Sequence, residues 1–219
     1  MPIIHIPYIK SNNRILQLML ISFFTIGTIG FLYPATKQIL ITLIPYVLLG
    51  NFILVALFDS SQNTKKQLLV YAIIFLLGLG IEIIGVNTSI IFGTYWYGKA
   101  LGIQVVNTPL LIGLNWLFLV YSTRLLFQSF TIHPYLKIIG ASGSMLLYNF
   151  FLEQSAHKMD MWYWHNNTIP IQNYIAWFII SVCMHTIVNY AQITISNSIA
   201  KTIVYIQFVF FIILFIGLS

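Results

Sequence analysis

Acidic residues are scarce in this chain, and their positions mark where chemistry could occur. Only four of the 219 residues are acidic, namely Asp59, Glu82, Glu153 and Asp160. The last three lie within or beside apolar runs long enough to cross a lipid bilayer. Burying a carboxyl group in hydrocarbon costs about 2.5 kcal/mol or more, so an acid at membrane depth is by default a candidate functional residue. We therefore expect the functional site at Glu82, Glu153 and Asp160.

The elements that must position these acids are membrane-spanning helices. The chain is 59% hydrophobic and 6% charged, and its mean hydropathy is +0.89. Apolar runs of about 20 residues, the length that a helix needs to cross the hydrocarbon, alternate with short polar pieces. The sequence predicts an all-α, polytopic transmembrane bundle that forms a single domain over 1–219. The seven predicted spans are 14–33, 38–58, 67–91, 108–128, 135–156, 171–191 and 200–218.

Basic residues fall mostly in connections on the N-terminal side of the predicted bundle. The net charge of +6 comes from residues scattered between spans, a pattern that indicates topology rather than nucleic-acid binding. Seven lie on the N-terminal side, namely Lys10, Arg14, Lys65, Lys66, Arg124, Lys137 and Lys201, against Lys37, Lys99 and Lys158 on the other. We therefore expect a multi-pass protein of the bacterial inner membrane with a cytoplasmic N-terminus, a retained first helix and an external C-terminus.

Two stretches around the acids carry the same landmarks in the same order. In the first, Glu82 is followed by Tyr95, Trp96 and Tyr97 and then by Pro109 and Trp116. In the second, Glu153 is followed by Trp162, Tyr163 and Trp164 and then by Pro170 and Trp177. This order predicts a parallel internal repeat of helix pairs 3–4 and 5–6, about 67–128 and 135–191, with a binding site between the copies. Coincidence is the alternative, because Trp and Tyr are common at membrane interfaces and Pro at helix starts.

Helical spacing places polar side chains on shared faces. Gly78, Glu82 and Gly85 are four and three residues apart, which puts a carboxyl group in a groove of small residues. Two polar stripes are expected to face each other, because lipid cannot satisfy polar groups. They comprise Asn149, Glu153, His157 and Asp160, if the fifth helix continues that far, and Asn173, Trp177, Ser181, His185 and Asn189. For the asparagines and His185, hydrogen bonds between helices are the alternative to a functional role.

The sequence lacks motifs for redox or metal chemistry. Its five histidines form no clustered boxes, and it contains no C-x-x-C, H-E-x-x-H or D-x-x-x-D pattern and no glycine-rich nucleotide fingerprint. Proton chemistry is left, because a carboxyl group in a low-dielectric site can stay protonated at neutral pH and act as a general acid. Aromatic faces nearby would stabilise a transient cation. We therefore expect neither a metal nor a cofactor.

Two longer stretches carry a resemblance to a known family. GIEIIGVNTSIIFGTYWYG (Gly80–Gly98) and LEQSAHKMDMWYWHNNTIPIQNYIAW (Leu152–Trp177) are similar to a membrane carotenoid-biosynthesis family. Its members include bisanhydrobacterioruberin hydratase and the gamma-carotene hydratase often called a hydroxylase. Two positions depart from the family pattern, since Gln154 stands where proline is expected and Ala176 where glycine is expected.

The resemblance implies a cofactor-independent carotenoid hydratase, that is, a hydro-lyase. Such an enzyme adds water across the terminal isopropylidene double bond of an acyclic carotenoid end group and leaves a tertiary hydroxyl. Glu82 or Asp160 would donate the proton, while Glu153 and the other acid would orient the water. The residues expected to bind substrate are Tyr95, Trp96, Tyr97, Trp116, Trp162, Trp164, Asn173 and Trp177. The hydrophobic carotenoid, water and the lipid bilayer would be the partners, and other carotenoid-biosynthesis enzymes are candidate partners.

Two other classes of protein fit the same acids. A membrane transporter also uses repeats and intramembrane carboxylates, and a continuous polar path to the other face would favour it. A noncatalytic membrane subunit of a carotenoid-synthesising complex would use the acids only as structural hydrogen bonders.

Overall fold

The structure, a computed structural model, describes residues 13–61 and 64–218, and seven long α-helices account for most of them. In chain order they are α1 (Asn13–Leu32), α2 (Pro34–Leu57), α3 (Lys65–Thr88), α4 (Leu110–Phe127), α5 (Pro134–Ala156), α6 (Ile171–Tyr190) and α7 (Ser198–Leu218). The predicted all-α bundle is confirmed, with helix ends within a few residues of the predicted spans. Prolines stand at several helix starts, where a missing N–H costs nothing: Pro34 and Pro134 begin α2 and α5, and Pro109 and Pro170 directly precede α4 and α6.

Most of these helices have the length and the hydropathy that a membrane span needs. Of the helices in the described ranges, six are long and apolar enough to cross a membrane, and α5 is not among them. The reason is visible in its sequence, because α5 carries Ser142, Asn149 and Glu153, and all three are buried. Their polar groups therefore face the bundle rather than lipid.

The helices pack in two pairs that meet at α4 and α5. α3 lies along α4, α5 lies along α6, and α4 also packs against α5. α1 and α7 pack together beside this group. α4 is the most enclosed helix, since every residue from Trp116 to Leu125 is buried. α1 instead exposes much of its apolar surface, as expected of a lipid-facing helix.

A layer of short strands and turns covers one end of the bundle. β1 (Tyr95–Tyr97) pairs antiparallel with β4 (Trp162–Trp164), and Trp96 lies opposite Tyr163. Between β1 and α4, the strands β2 (Gln104–Val105) and β3 (Thr108–Pro109) form a small hairpin. The β1–β4 pair joins the connection between α3 and α4 to the connection between α5 and α6.

Corresponding aromatic residues of the two stretches predicted to be repeat copies contact each other. In the β1–β4 register, Tyr95 faces Trp164 and Tyr97 faces Trp162, so the pairing is centred on Trp96 and Tyr163. Trp116 stacks on Trp177 with ring centroids 4.0 Å apart. These pairings are those expected of two copies related by a two-fold rotation. Superposition of the two copies about an axis along the membrane normal stays a prediction.

The fifth helix ends where its predicted span ends and does not continue through Asp160, so the condition for a four-residue stripe from Asn149 to Asp160 is not met. α5 ends at Ala156 and passes into a 3₁₀ turn at His157–Met159. Asp160 then adopts a left-handed conformation with φ of 53°, and the Met161 N–H donates to the Ala156 carbonyl. This closing turn ends the helix, so Asp160 leaves the face that carries Asn149 and Glu153, and His157 is exposed.

Candidate functional site

Glu82 projects from α3 into the bundle, where it is 4% exposed. Its Oε2 accepts hydrogen bonds from the Tyr95 and Tyr97 hydroxyls, both at 2.7 Å. Its Oε1 accepts from the Trp116 indole N–H at 3.0 Å. Three donors from β1 and α4 therefore hold this carboxyl group in one orientation.

Glu153, which is 3% exposed, has an equally complete set of partners. Its Oε2 accepts from the indole N–H groups of Trp162 and Trp164, both at 2.8 Å. Its Oε1 accepts from the Asn173 side-chain amide at 2.9 Å, and the Asn149 amide lies farther away at 3.5 Å. The donors come from β4 and α6, the counterparts of the elements that serve Glu82.

The strand pairing explains which aromatic residues reach the acids. Successive side chains of a strand point to opposite faces, so the outer residues of each triplet face inward together. Tyr95 and Trp164 lie 5.0 Å apart between ring centroids on this inner face. The middle residues, Trp96 and Tyr163, stack on the outer face instead, and Trp96 is 50% exposed. Trp96 is therefore outside the site, unlike the other seven residues predicted to bind substrate.

Both acids line one cavity, which has a volume of about 20 Å³. Its lining consists of Glu82, Phe92, Tyr95, Tyr97, Ile112, Asn115, Trp116, Glu153, Trp162, Trp164, Asn173 and Trp177. This volume is enough for about one water molecule. A larger ligand group would enter only if side chains in the lining moved. The site therefore combines two carboxyl groups, room for a water molecule and a nearly continuous aromatic wall.

A close approach of α3 to α4 makes the Glu82–Trp116 bond possible. A Cβ atom at Gly78 would lie 2.6 Å from the Cβ of Trp116, far inside van der Waals contact. Gly78 is one helical turn before Glu82, so its missing side chain lets the Trp116 ring lie flat against α3. The groove of small residues predicted around Glu82 thus accommodates a tryptophan.

Asp160 does not line this cavity, and its carboxylate instead bonds groups of the two connections that form the outer layer. Its carboxylate accepts from the Tyr163 hydroxyl at 2.8 Å and from the Lys99 backbone N–H at 3.2 Å. A Cβ at Gly98 would lie 2.2 Å from the Asp160 carbonyl oxygen, so only glycine fits there. The hydroxyl of Tyr163 has its pKa raised, chiefly by this bond to Asp160. Asp160 therefore fastens two connections of the outer layer to each other.

The polar stripe of α6 divides into two parts. Asn173 and Trp177 line the cavity, whereas His185 Nε2 lies 3.1 Å from the Thr123 hydroxyl and Asn189 accepts from the Arg124 guanidinium at 3.2 Å. The latter two make bonds between α6 and α4, which is the structural alternative predicted for His185 and Asn189, and the buried Nδ1 of His185 has no partner among the described residues. They do not extend the cavity toward the far end of the bundle.

Asn115 is a member of the cavity lining that sequence reasoning missed. It precedes Trp116 on α4 and belongs to no polar stripe, so the only signal was an amide in an otherwise apolar run. As for metals, no three His, Cys, Asp or Glu side chains within 13–61 and 64–218 lie together as a metal site would require. Glu82 is bonded to O–H and N–H donors, and Glu153 is bonded to N–H donors.

Comparison with known proteins gives one match. A family model described as "Carotenoid biosynthesis protein" matches residues 39–219, which include both acids and every element of the cavity. No curated protein and no solved structure matches the chain.

Proposed function

The chain belongs to the carotenoid biosynthesis protein family, and on that premise we propose that it is a carotenoid hydratase. It adds water across the terminal isopropylidene double bond of an acyclic carotenoid and produces a tertiary alcohol. The observation that carries the proposal is the pair of buried glutamates in one aromatic cavity, of which only Glu82 is bonded to hydroxyl groups. This difference suits one glutamate to donate a proton and the other to accept one.

Glu82 is suited to the protonated form. Two of its partners are tyrosine hydroxyls, which can donate or accept a hydrogen bond. Burial, together with the neighbouring Glu82, raises the pKa of the Tyr95 and Tyr97 hydroxyls well above the ordinary 10, so both remain protonated. Because a tyrosine oxygen can also accept, a protonated Glu82 keeps its partners. We assign the role of general acid to Glu82.

Glu153 is suited to the ionised form. The indole N–H groups of Trp162 and Trp164 can only donate, and both reach the same oxygen. Donors directed at a carboxylate favour its charged form, and the Asn173 amide adds a third. We assign to Glu153 the role of orienting water and taking its proton.

The reaction follows from these assignments. Glu82 gives its proton to the less substituted alkene carbon, and the other carbon becomes a tertiary cation. The faces of surrounding rings, including the Trp116–Trp177 stack, stabilise this cation. Water adds to the cation and loses a proton to Glu153, which yields the alcohol. Transfer of one proton from Glu153 back to Glu82 restores the starting state.

A transporter is less well supported by the same geometry. Of the stripe residues beyond the cavity, Ser181 donates to the Phe178 carbonyl of its own helix, and His185 Nε2 and Asn189 make bonds to α4. Between Trp116 and Ser122, α4 contributes mostly buried apolar side chains. These contacts favour a site reached from one side of the bundle.

We further propose that this site lies toward the outer side of the cell membrane, with the N-terminus in the cytoplasm. The support is the distribution of lysine and arginine between the two faces. The acids lie near the strand layer, which follows the C-terminal ends of α3 and α5. The tip of a hydrocarbon substrate would meet water at this depth.

Pigment analysis in a host that accumulates an acyclic carotenoid tests the proposed function. Expression of the chain should convert the pigment into a product heavier by one water that carries a tertiary hydroxyl. A Glu82→Gln variant present in the membrane at the same level is the matched control and should leave the pigment unchanged. Unaltered pigment with the unmodified chain, across several acyclic carotenoids, would contradict the proposal.

A further inference from the structure

An apolar groove lies between α1, α2 and α7, beside the acid cavity. Its volume is about 170 Å³. The residues that line it are Phe23, Phe24, Ile26, Gly27, Phe31, Leu40, Leu43, Ile44, Val47, Leu48, Met159, Met161, Gln207, Phe210 and Phe211. Gln207 is the only polar side chain among them, and its Oε1 accepts from the Tyr148 hydroxyl at 2.9 Å. The groove therefore offers a surface for hydrocarbon and no charged group for a head group.

The groove is open to the surrounding lipid. Three of its lining residues, Phe23, Ile26 and Leu43, are also exposed on the outside of the bundle. A second apolar cavity continues along the same α1–α2 seam and shares Phe23, Leu43 and Val47 with the groove. Together the two cavities follow α1 from Leu16 to Phe31, a rise of about 22 Å at 1.5 Å per residue. The seam is therefore long enough for an extended chain.

The groove lies close to the acid cavity, and a third, smaller cavity between them shares lining residues with both. A small cavity of about 20 Å³ separates them, and Leu48 and Gln207 belong to both this cavity and the groove. Asn115 belongs to both the small cavity and the acid cavity. The amide of Asn51 also lines the small cavity, and its buried Nδ2 has no hydrogen-bond partner. Gln207 and Asn115 therefore stand between the apolar groove and the cavity of Glu82 and Glu153, and these side chains would have to move for the two spaces to join.

We propose that this groove binds the hydrocarbon chain of the substrate, an extended apolar polyene. The chain enters sideways from the bilayer between α1 and α2. The reacting end passes Gln207 and Asn115 to reach the two glutamates. This inference rests on the proposed function, because it locates the remainder of the same substrate. The neighbouring acid cavity, linked to the groove by Gln207 and Asn115, distinguishes this occupant from a phospholipid tail, which would need a partner for its head group at the groove.

Gly27 gives a direct way to fill the groove. It lines the groove, and a Cβ at this position would meet no atom within 4 Å. Gly143 on α5 is the matched control, since a Cβ there is equally free and Gly143 does not line the groove. Phenylalanine has a higher helix propensity than glycine, so both Gly27→Phe and Gly143→Phe should fold.

We expect Gly27→Phe to raise KM for a long acyclic carotenoid about tenfold or more, with little change in kcat. Its hydration of a short isoprenoid alkene with the same end group should be unaffected, because that molecule does not reach Gly27. Gly143→Phe should match the unmodified protein on both substrates. Equal KM values for the two phenylalanine variants on the long substrate would overturn the groove assignment.

Photolabelling tests whether the polyene chain lies in the groove, and it does not require the protein to hydrate the substrate. A long acyclic polyene bearing a diazirine should label α1 and α2 around Phe23 and Leu43 in the unmodified protein, and unlabelled polyene should compete. Label spread equally over lipid-facing positions of α6, such as Ile175 and Ile179, would overturn the proposal. Absence of hydration by the unmodified protein would count against the proposed function alone, because the labelling pattern still locates the chain.

Discussion

Glu82 and Glu153 are almost equally buried, yet the groups around them differ in kind. The bonds to Glu82 include two hydroxyls that can reverse direction, whereas those to Glu153 come from indole and amide N–H groups. In a cavity without bulk water, this difference decides which proton state each carboxyl group tolerates. A pair of acids with opposite preferences is what the addition of water to an alkene requires.

Replacing Glu82 with glutamine should remove activity but leave the fold intact. In Glu82→Gln the amide oxygen can accept from Trp116 while the amide N–H groups donate to the tyrosine oxygens, so every bond has a replacement. The transferable proton is lost, and the rate should fall about a hundredfold or more. Initial rates, normalised to folded protein from thermal unfolding in detergent, measure the effect. Full activity would exclude Glu82 as the acid.

Asp160→Asn provides a contrasting variant of an acid outside the cavity. Its side chain bonds Tyr163 and the Lys99 backbone, away from the cavity lining. We expect activity within a few-fold of the unmodified protein in the same assay. A loss as large as that of Glu82→Gln, in a protein of normal thermal stability, would make Asp160 the proton donor after all.

At the scale of elements, the site depends on how closely α3 and α4 approach. Gly78 allows the Trp116 ring to lie against α3, and Trp116 in turn bonds Glu82 and stacks on Trp177. The same contact thus sets the helix spacing, the orientation of one acid and the aromatic wall.

Replacing either of two α3 glycines with alanine should separate the packing role of Gly78 from the general effect of alanine on helix propensity. Gly78→Ala forces a methyl group into Trp116 and should destabilise the protein by about 1–3 kcal/mol. A Cβ at Gly80 meets nothing within 4 Å, so Gly80→Ala should be neutral or stabilising by about 0.5–1 kcal/mol. Thermal unfolding in detergent compares the two variants. Equal stability of both would show that α3 and α4 are not in close contact at Gly78.

The sequence predicts some elements of the structure better than others. The helices follow from hydropathy, because each long apolar run needs a helix to satisfy its backbone in lipid. The path of the chain after Ala156 does not follow from hydropathy, because hydropathy carries no information on the left-handed conformation of Asp160. The pairing of β1 with β4 joins three-residue segments far apart in the chain, and so short a strand shows no reliable alternation. For that reason the sequence does not separate Trp96 from its neighbours in the site. Asn115 is missed for another reason, because it belongs to no polar stripe on α4.

At the scale of the whole molecule, the β1–β4 pair joins the α3–α4 connection to the α5–α6 connection over the cavity. The residues on its outer face, Trp96 and Tyr163, lie directly opposite each other, whereas the inner face supplies donors to both acids. The pair therefore closes the cavity and fixes four aromatic side chains at once.

Cysteines at these two outer positions should form a disulfide. Directly opposed residues of antiparallel strands have Cα atoms about 4.5–5.5 Å apart, within the range that a disulfide needs. In a Cys183→Ser background, oxidised Trp96→Cys/Tyr163→Cys should resist thiol alkylation and stay active, because both side chains point away from the cavity. Alkylation with mass spectrometry reads the result. Persistent free thiols under oxidising conditions would mean that the two strands do not pair.

The source of the product oxygen tests the central claim most directly. Purified protein should be incubated with an acyclic carotenoid in heavy-oxygen water, without oxygen gas or added reductant. Because water adds to a cation formed by protonation, the product hydroxyl should carry the heavy label and form at an undiminished rate. A product labelled only from oxygen gas, or formed only when a reductant is supplied, would contradict hydration by Glu82 and Glu153.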